Sequence, residues 1–340
     1  MQLIYNHNSR QLDNYNYRFV VEFGQEDTSL SWNNGNLKMA IKIPTFGHQF
    51  QENIIDGSGK FSMRNGFFLL ESEESLVGGI VLDVDFPLEK DIYDVYLSFL
   101  EITQNWHLYR IWHYVPFINQ ETQGIENYRS FCKGRSLAFE HYLGSDFDRK
   151  LPAASAVGID DTKLVMYFLA GKTPGIHLEN PEQVSAYQYP QIYGPRPPSF
   201  ARGTRVNLAG RRVGYLSGTA SIKGHQSVTL GDTADQLYTT LDNMSLIFES
   251  MGFVNERHSY GSYFPDADDY QRSFKVYIRH LADMKYVQNL FSQMIGLRAD
   301  DRVLYLQSDI CRSELNLEIE AVISERTFEN SAESPVGQAF

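Results

Sequence analysis

One order of elements occurs twice in this chain. From about residue 93 the pattern reads helix (94–104), strand (Tyr109-Arg-Ile-Trp-His-Tyr-Val-Pro-Phe117), helix (126–139) and a strand-bearing stretch from Pro152 to Leu169. From about residue 233 it reads helix (234–251), strand (Ser273-Phe-Lys-Val-Tyr-Ile-Arg279), helix (282–295) and two closing strand-like runs. Such self-similarity is an internal duplication, and it narrows the fold to α+β: two α/β halves in tandem, with mixed sheets packed against helices. At 340 residues and 42% hydrophobic, the chain can bury a sizeable core for both.

The closing runs lie in Tyr305-Leu-Gln-Ser-Asp-Ile-Cys-Arg-Ser-Glu-Leu-Asn-Leu-Glu-Ile-Glu-Ala-Val322, hinged at a polar turn. Side chains alternate along a strand, so Leu315, Leu317, Ile319 and Ala321 share one face while Asn316, Glu318 and Glu320 share the other. The first face is core. The second either meets water or lines a cleft, and a cleft would make Glu318 a proton donor. Laying the two halves together sets an apolar residue, roughly Met166, opposite Glu318. Only the second half keeps the acid, so one half is expected to support and the other to work.

No apolar run reaches membrane-spanning length, and the first residues have neither the basic flank nor the apolar stretch of a signal peptide, so a cytoplasmic protein is expected. Cys132 and Cys311 lie far apart in sequence and give no disulfide framework. A formal charge of −12 argues against a nucleic-acid partner, whose phosphates demand a basic surface. A small anion would need arginines concentrated locally, and Arg196, Arg202, Arg205, Arg211 and Arg212 cluster beside Pro195, Pro197 and Pro198. The stretch 190–202 has too much proline for a helix or central strand. It is either a solvated linker or an ordered anion-binding loop. After it comes a strand carrying Ser217, Gly218, Thr219, Ala220 and Ser221, small residues that admit a ligand to the backbone or mark a bulge or tight sheet packing.

Other chemistries fall away. Gly57-Ser-Gly-Lys60 resembles a phosphate loop only in part, because Ile54 stands five residues before Gly59 and Phe61 follows the lysine. There is no Gly-x-Ser-x-Gly elbow and no His-Glu-x-x-His. His107 and His113 read as structural, and nothing in the spacing requires Cys311 and His225 to pair.

The repeated unit ending in Leu317-Glu-Ile-Glu-Ala321 resembles the RidA (YjgF-type) fold. Tyr128-Arg-Ser-Phe-Cys-Lys-Gly-Arg135, Leu151-Pro-Ala-Ala-Ser-Ala-Val-Gly158, Tyr193-Gly-Pro-Arg-Pro-Pro-Ser-Phe-Ala-Arg202, Ser217-Gly-Thr-Ala-Ser-Ile222 with Gly224-His225, and Asp309-Ile-Cys-Arg312 together resemble the chorismatase family, including members described as pteridine-dependent deoxygenase-like. The match runs from about 60 to 325. It implies an N-terminal extension (1–60), a RidA-like non-catalytic half (61–185) and a RidA-like catalytic half with the Arg/Pro-rich loop (186–340).

The resemblance also implies chemistry. Chorismate is a dianion with an enol ether, so its cleavage needs cationic anchors and an acid that protonates the enolpyruvyl methylene carbon. Glu318 matches the family's acid; Tyr193, Arg196, Arg202 and Gly218 match substrate-binding positions. Ala220, alanine in the hydrolysing branch and glycine in the 3-hydroxybenzoate branch, stands here with Cys311, cysteine in the latter. The implied products are pyruvate and 3-hydroxybenzoate, with 4-hydroxybenzoate open, and hydrolysis to 3,4-dihydroxycyclohexa-1,5-dienoate is the alternative. A small-carboxylate binding module or an imine hydrolase of the RidA type would share the fold. No metal or organic cofactor is implied, pteridine included. The oligomeric state stays open, with the trimer common in relatives of this fold as the candidate.

Overall fold

Alternating apolar side chains make the strands two-faced, and a two-faced strand is stable only where both faces find partners. The computed structural model describes residues 2–5, 18–46, 50–55, 59–253, 265 and 269–326. Gly57 and Ser58 of the discounted phosphate loop lie outside them. The strands form three large sheets.

The middle sheet runs, edge to edge, Ala153–Ile159, His107–Pro116, Lys163–Gly171, Ser75–Asp83, Phe67–Glu71 and Lys60–Arg64. The C-terminal sheet runs Arg302–Gln307, Tyr270–Ile278, Leu317–Glu325, Arg211–Thr219, Gly203–Leu208 and Ile176–Leu178. These orders correspond strand for strand, including one parallel pair in the same place in each. Each copy is larger than its periodicity announces, since three strands of its large sheet precede its first helix. The two closing runs are not each other's partners. Tyr270–Ile278 lies between them, parallel to Arg302–Gln307 and antiparallel to Leu317–Glu325, with helix Met284–Met294 supplying the crossover that a parallel pair requires.

One face of each sheet carries helices. Glu89–Thr103 and Asn127–Leu143 cover the middle sheet, and Thr233–Ser250 with Met284–Met294 covers the C-terminal one. Asp232 caps the third of these helices, accepting from the backbone N–H groups of Ala234 and Asp235, and Leu237, Leu241, Met244 and Phe248 form its buried stripe. The opposite faces meet in a shared core, closed on its third side by the N-terminal sheet, ordered Gln2–Tyr5, Phe50–Ile55, Arg18–Phe23, Asn36–Ile41 and Ser29–Asn33. Phe19, Phe23 and Met39 from that sheet join Tyr114, Tyr167, Tyr277 and Leu306 there. Each such side chain contributes about 1.5–3 kcal/mol by burial. The described residues of the stretch 1–60, which sequence alone left as an extension, thus supply one wall of the core.

The shared interface corrects one expected equivalence. Tyr114 and Tyr277 occupy matching strands and their hydroxyls meet across the interface at 3.1 Å. Opposite Tyr114 stands Val165, and opposite Tyr277 stands Glu318. Val165, not Met166, therefore takes the place of Glu318, because Met166 points to the helices. A slip of one residue along a strand exchanges its faces. No helix among the described residues is long and apolar enough to cross a membrane.

Candidate active site

Along Leu317–Glu325, Leu317, Ile319 and Ala321 pack against the helices, while Glu318 and Glu320 face the interface between the two copies. That second face does not meet water. Glu318 is 3% exposed and lines a cavity; Glu320, also buried, is taken up by cations outside the lining.

The neighbouring strand makes the space. Pairing between Arg211–Thr219 and Leu317–Glu325 goes from Leu216 opposite Ala321 to Thr219 opposite Ile319, which inserts one extra residue as a bulge. Ser217 fastens the bulge across the interface: its hydroxyl donates to the Ala201 carbonyl and accepts from the Ala154 N–H at 2.9 Å. Gly218 is left facing the acid. A Cβ there would sit 1.8 Å from Glu318 Oε1, 2.6 Å from its Cδ and 3.0 Å from Ser155 Oγ, so only glycine lets the carboxyl lie where it does. The small-residue run therefore serves both of its readings, as a bulge and as a floor for the cavity.

Burial raises the Glu318 pKa first, and the charge of Glu320 adds to it; Arg110, Arg202 and a hydrogen bond from the Cys311 thiol pull the other way. The result is a carboxyl pushed up to about 8, which holds its proton at neutral pH. The Cys311 thiol is itself raised, by burial and then by Glu318, and so stays a neutral donor.

The cavity draws on both copies, not on the C-terminal half alone. Helix Asn127–Leu143 aims Tyr128 and Arg135, seven residues apart on one face, into it, and Ala154, Ser155 and Ala156 form a wall. Arg135 is 2% exposed, ringed by Tyr96, Phe131 and Phe139, and its Nε and Nη2 have no hydrogen-bond acceptor among the described residues. Arg202 stacks on Phe200 with its guanidinium carbon 5.2 Å from the ring centroid; Nη2 donates to Tyr189 Oη at 2.7 Å and Nε has no acceptor. Buried guanidinium N–H groups without partners are costly, and they mark where an anion would be bound.

Of the residues singled out from sequence, Glu318, Cys311, Ala220, Tyr193, Arg202 and Gly218 line this cavity. Arg196 does not. Its guanidinium pairs with Glu140 at 2.8 Å on the outer side of the proline loop. Arg205 and Arg212 are likewise spent on structure, on the Met251 carbonyl and on Glu325. His225 bonds the Tyr193 hydroxyl at 3.0 Å, and the Cys311 thiol bonds Glu318. Besides Arg129, which pairs with Glu126 at 3.0 Å, two further cavity arginines were missed, Arg135 and Arg312, the latter lying 3.9 Å over the Tyr193 ring. Both close motifs quoted above, Tyr128 to Arg135 and Asp309 to Arg312.

The chain is similar to known proteins. Residues 64–170 match the family described as chorismatase FkbO/Hyg5-like, N-terminal. A 3-hydroxybenzoate synthase of Streptomyces hygroscopicus is 35% identical over 237 residues, 67% of this chain and 67% of that protein. A chorismatase of Streptomyces rapamycinicus is 36% identical over 223 residues, 64% of each chain. A crystal structure of a chorismatase superposes with a TM-score of 0.83 at 28% identity, covering 95% of this chain and 98% of that one. The chain belongs to the FkbO/Hyg5-like chorismatase family.

Proposed function

We propose that the chain cleaves chorismate, protonating its enolpyruvyl methylene carbon from Glu318 and releasing pyruvate with a hydroxybenzoate. The reading is carried by one observation: a buried, proton-holding carboxyl shares a cavity with buried guanidinium groups whose N–H donors have no acceptor. A dicarboxylate satisfies those donors, and planar guanidinium suits carboxylate recognition. Its negative charge also strengthens the hold of Glu318 on its proton until transfer.

Transfer turns the methylene into a methyl group, leaves an oxocarbenium ion and makes Glu318 a carboxylate. Water or a ring hydroxyl then adds to the cationic carbon, its proton returns to Glu318, and collapse frees pyruvate. Hydrolysis consumes one water. The benzoate outcome consumes none: with the ring hydroxyl as nucleophile, collapse breaks one ring carbon–oxygen bond, pyruvate leaves with that oxygen, and loss of a proton from a ring carbon makes the ring aromatic. Ala220, lining the cavity, supports the hydrolytic outcome as a second reading, while the named activity of the S. hygroscopicus relative supports the benzoate one. Incubation with chorismate and chromatography of the products tests both; chorismate bound without pyruvate release would replace the enzyme with a carboxylate-binding module.

Two further results are expected. Arg202→Ala, and separately Arg135→Met, should weaken binding of chorismate or a benzoate analogue by about 1.5–3 kcal/mol in calorimetry on folded protein, the scale of a hydrogen bond to a charged group. Unchanged affinity in both would remove the anchors. Ala220→Gly and Cys311→Ala should alter the ratio of 3-hydroxybenzoate, 4-hydroxybenzoate and dihydroxydienoate more than total pyruvate, since about 1.4 kcal/mol between competing barriers is tenfold in their ratio. Ratios identical to wild type in both variants would acquit these positions of steering.

A further inference from the structure

Beside Glu318 lies a set of buried charges drawn from all three sheets, in which Glu52 Oε1 is the one carboxylate oxygen with no hydrogen-bond partner among the described residues. Glu320 Oε1 accepts from Lys275 Nζ at 2.8 Å and Trp112 Nε1 at 2.7 Å; Oε2 accepts from Arg110 Nη2 at 2.8 Å and Ser155 Oγ at 2.6 Å. Lys275 Nζ also donates to Glu52 Oε2 at 2.9 Å and to the Tyr167 hydroxyl at 2.9 Å, and that hydroxyl donates to Glu52 Oε2 at 2.9 Å. Two carboxylates face two cations, so the set is neutral. Glu52 is its sole carboxylate from the N-terminal sheet, and no residue of that sheet lines the cavity.

Buried ion pairs are weak evidence for stability, because apolar side chains of similar volume often replace them without loss. This set has a second connection. Ser155 Oγ, bound to Glu320, converges with the Glu318 carboxyl on the same glycine, Gly218. Resting on the reading of Glu318 as the acid, we propose that Glu52 is a positioning residue for it: by pairing with Lys275, the cation that also holds Glu320, Glu52 keeps the charge set beside Glu318 neutral, so that the N-terminal sheet helps to set how tightly the acid holds its proton.

Cys311 meets the Glu318 carboxyl directly, and Tyr128, Arg135 and Arg202 line the cavity with it. Arg312 lies in the same lining, as do Arg129 and Glu126, paired with each other at 3.0 Å, and the Tyr114 and Tyr277 phenols, held neutral by burial, lie between the copies. Burial would raise Glu320, but Lys275 and then Arg110 overcome it and hold the carboxyl below its ordinary range. Burial would lower Lys275, and Glu320 and Glu52 reverse that. Removing the charge of Glu52 leaves the set with a net positive charge. A positive neighbour favours ionised Glu318, so its titration moves to lower pH.

The test uses the full chain carrying ¹³C-carboxyl glutamate, with the Glu318 resonance identified by its loss in Glu318→Gln. In Glu52→Gln, the Glu318 titration and the alkaline limb of turnover on chorismate should move together to lower pH, by about 0.5–1 unit. Neither moving, in a variant that melts and binds chorismate like wild type, overturns the proposal. Should Glu52→Gln fail to fold, Glu52→Gln/Lys275→Met removes the pair without leaving a lone buried charge. In that variant the Glu320 resonance, ionised across the neutral range in wild type, should titrate at higher pH than before; an unchanged Glu320 overturns the proposal. A wild-type chain that released no pyruvate would overturn the reaction assigned to the site, and the carboxyl titrations would still decide the coupling.

Discussion

Glu318→Gln should lower turnover of chorismate by roughly two to four orders of magnitude, the range for loss of a general acid, with the fold intact. The side chains are nearly isosteric, and glutamine keeps the hydrogen bond from Cys311 but has no proton to give. The pH dependence fixes the sign. The protonated form is the working form, so turnover should hold below about 8 and fall roughly tenfold per unit above it. Stability should follow the same group: a carboxyl whose folded pKa is raised above the unfolded value stabilises fully below the unfolded pKa, and that contribution is lost as pH rises toward the folded one. The wild-type melting temperature should therefore drop between about pH 5 and 9 by more than that of Glu318→Gln. Pyruvate release by the variant within threefold of wild type, roughly 0.7 kcal/mol in barrier, would remove Glu318 from the mechanism.

The acid was legible because two local signals agreed on it: strand alternation put Glu318 on the face away from Leu317 and Ile319, and the duplication showed which half kept a carboxylate. The partner position was misread by a single residue, Met166 for Val165, because periodicity fixes which residues share a face but not the register in which two copies superpose. The arginines show another limit. Arg196 and Arg202 stand in one proline-rich loop with the same charge, yet one meets Glu140 outside and the other stacks on Phe200 inside, a difference set by chain direction through short turns. Arg135 hid in a helix whose buried face is otherwise aromatic and small, where a guanidinium is unexpected unless an anion awaits it. Glu52 had no local signal. Its partner Lys275 lies 223 residues away, and only the packing of three sheets joins them.

Gly218→Ala is expected to lower kcat by about a hundredfold while leaving the protein folded. The added methyl would sit 1.8 Å from Glu318 Oε1, far inside contact distance, so something must move. The bulged backbone is held by Ser217 to Ala154 and Ala201, whereas the end of the Glu318 side chain, held by the weak donor Cys311, can turn about its own bonds. The carboxyl yields first. Overpacking of this kind costs about 1–3 kcal/mol of stability, which a domain this size survives, but a displacement near 1 Å of a catalytic group can cost 10²-fold in rate. The loss should appear in kcat more than in KM, because Arg135 and Arg202 keep their places, and it should exceed the effect of Ala220→Gly two residues on. Unchanged kcat in a folded Gly218→Ala variant would mean that the carboxyl need not lie against the bulge, and that the glycine serves the sheet alone.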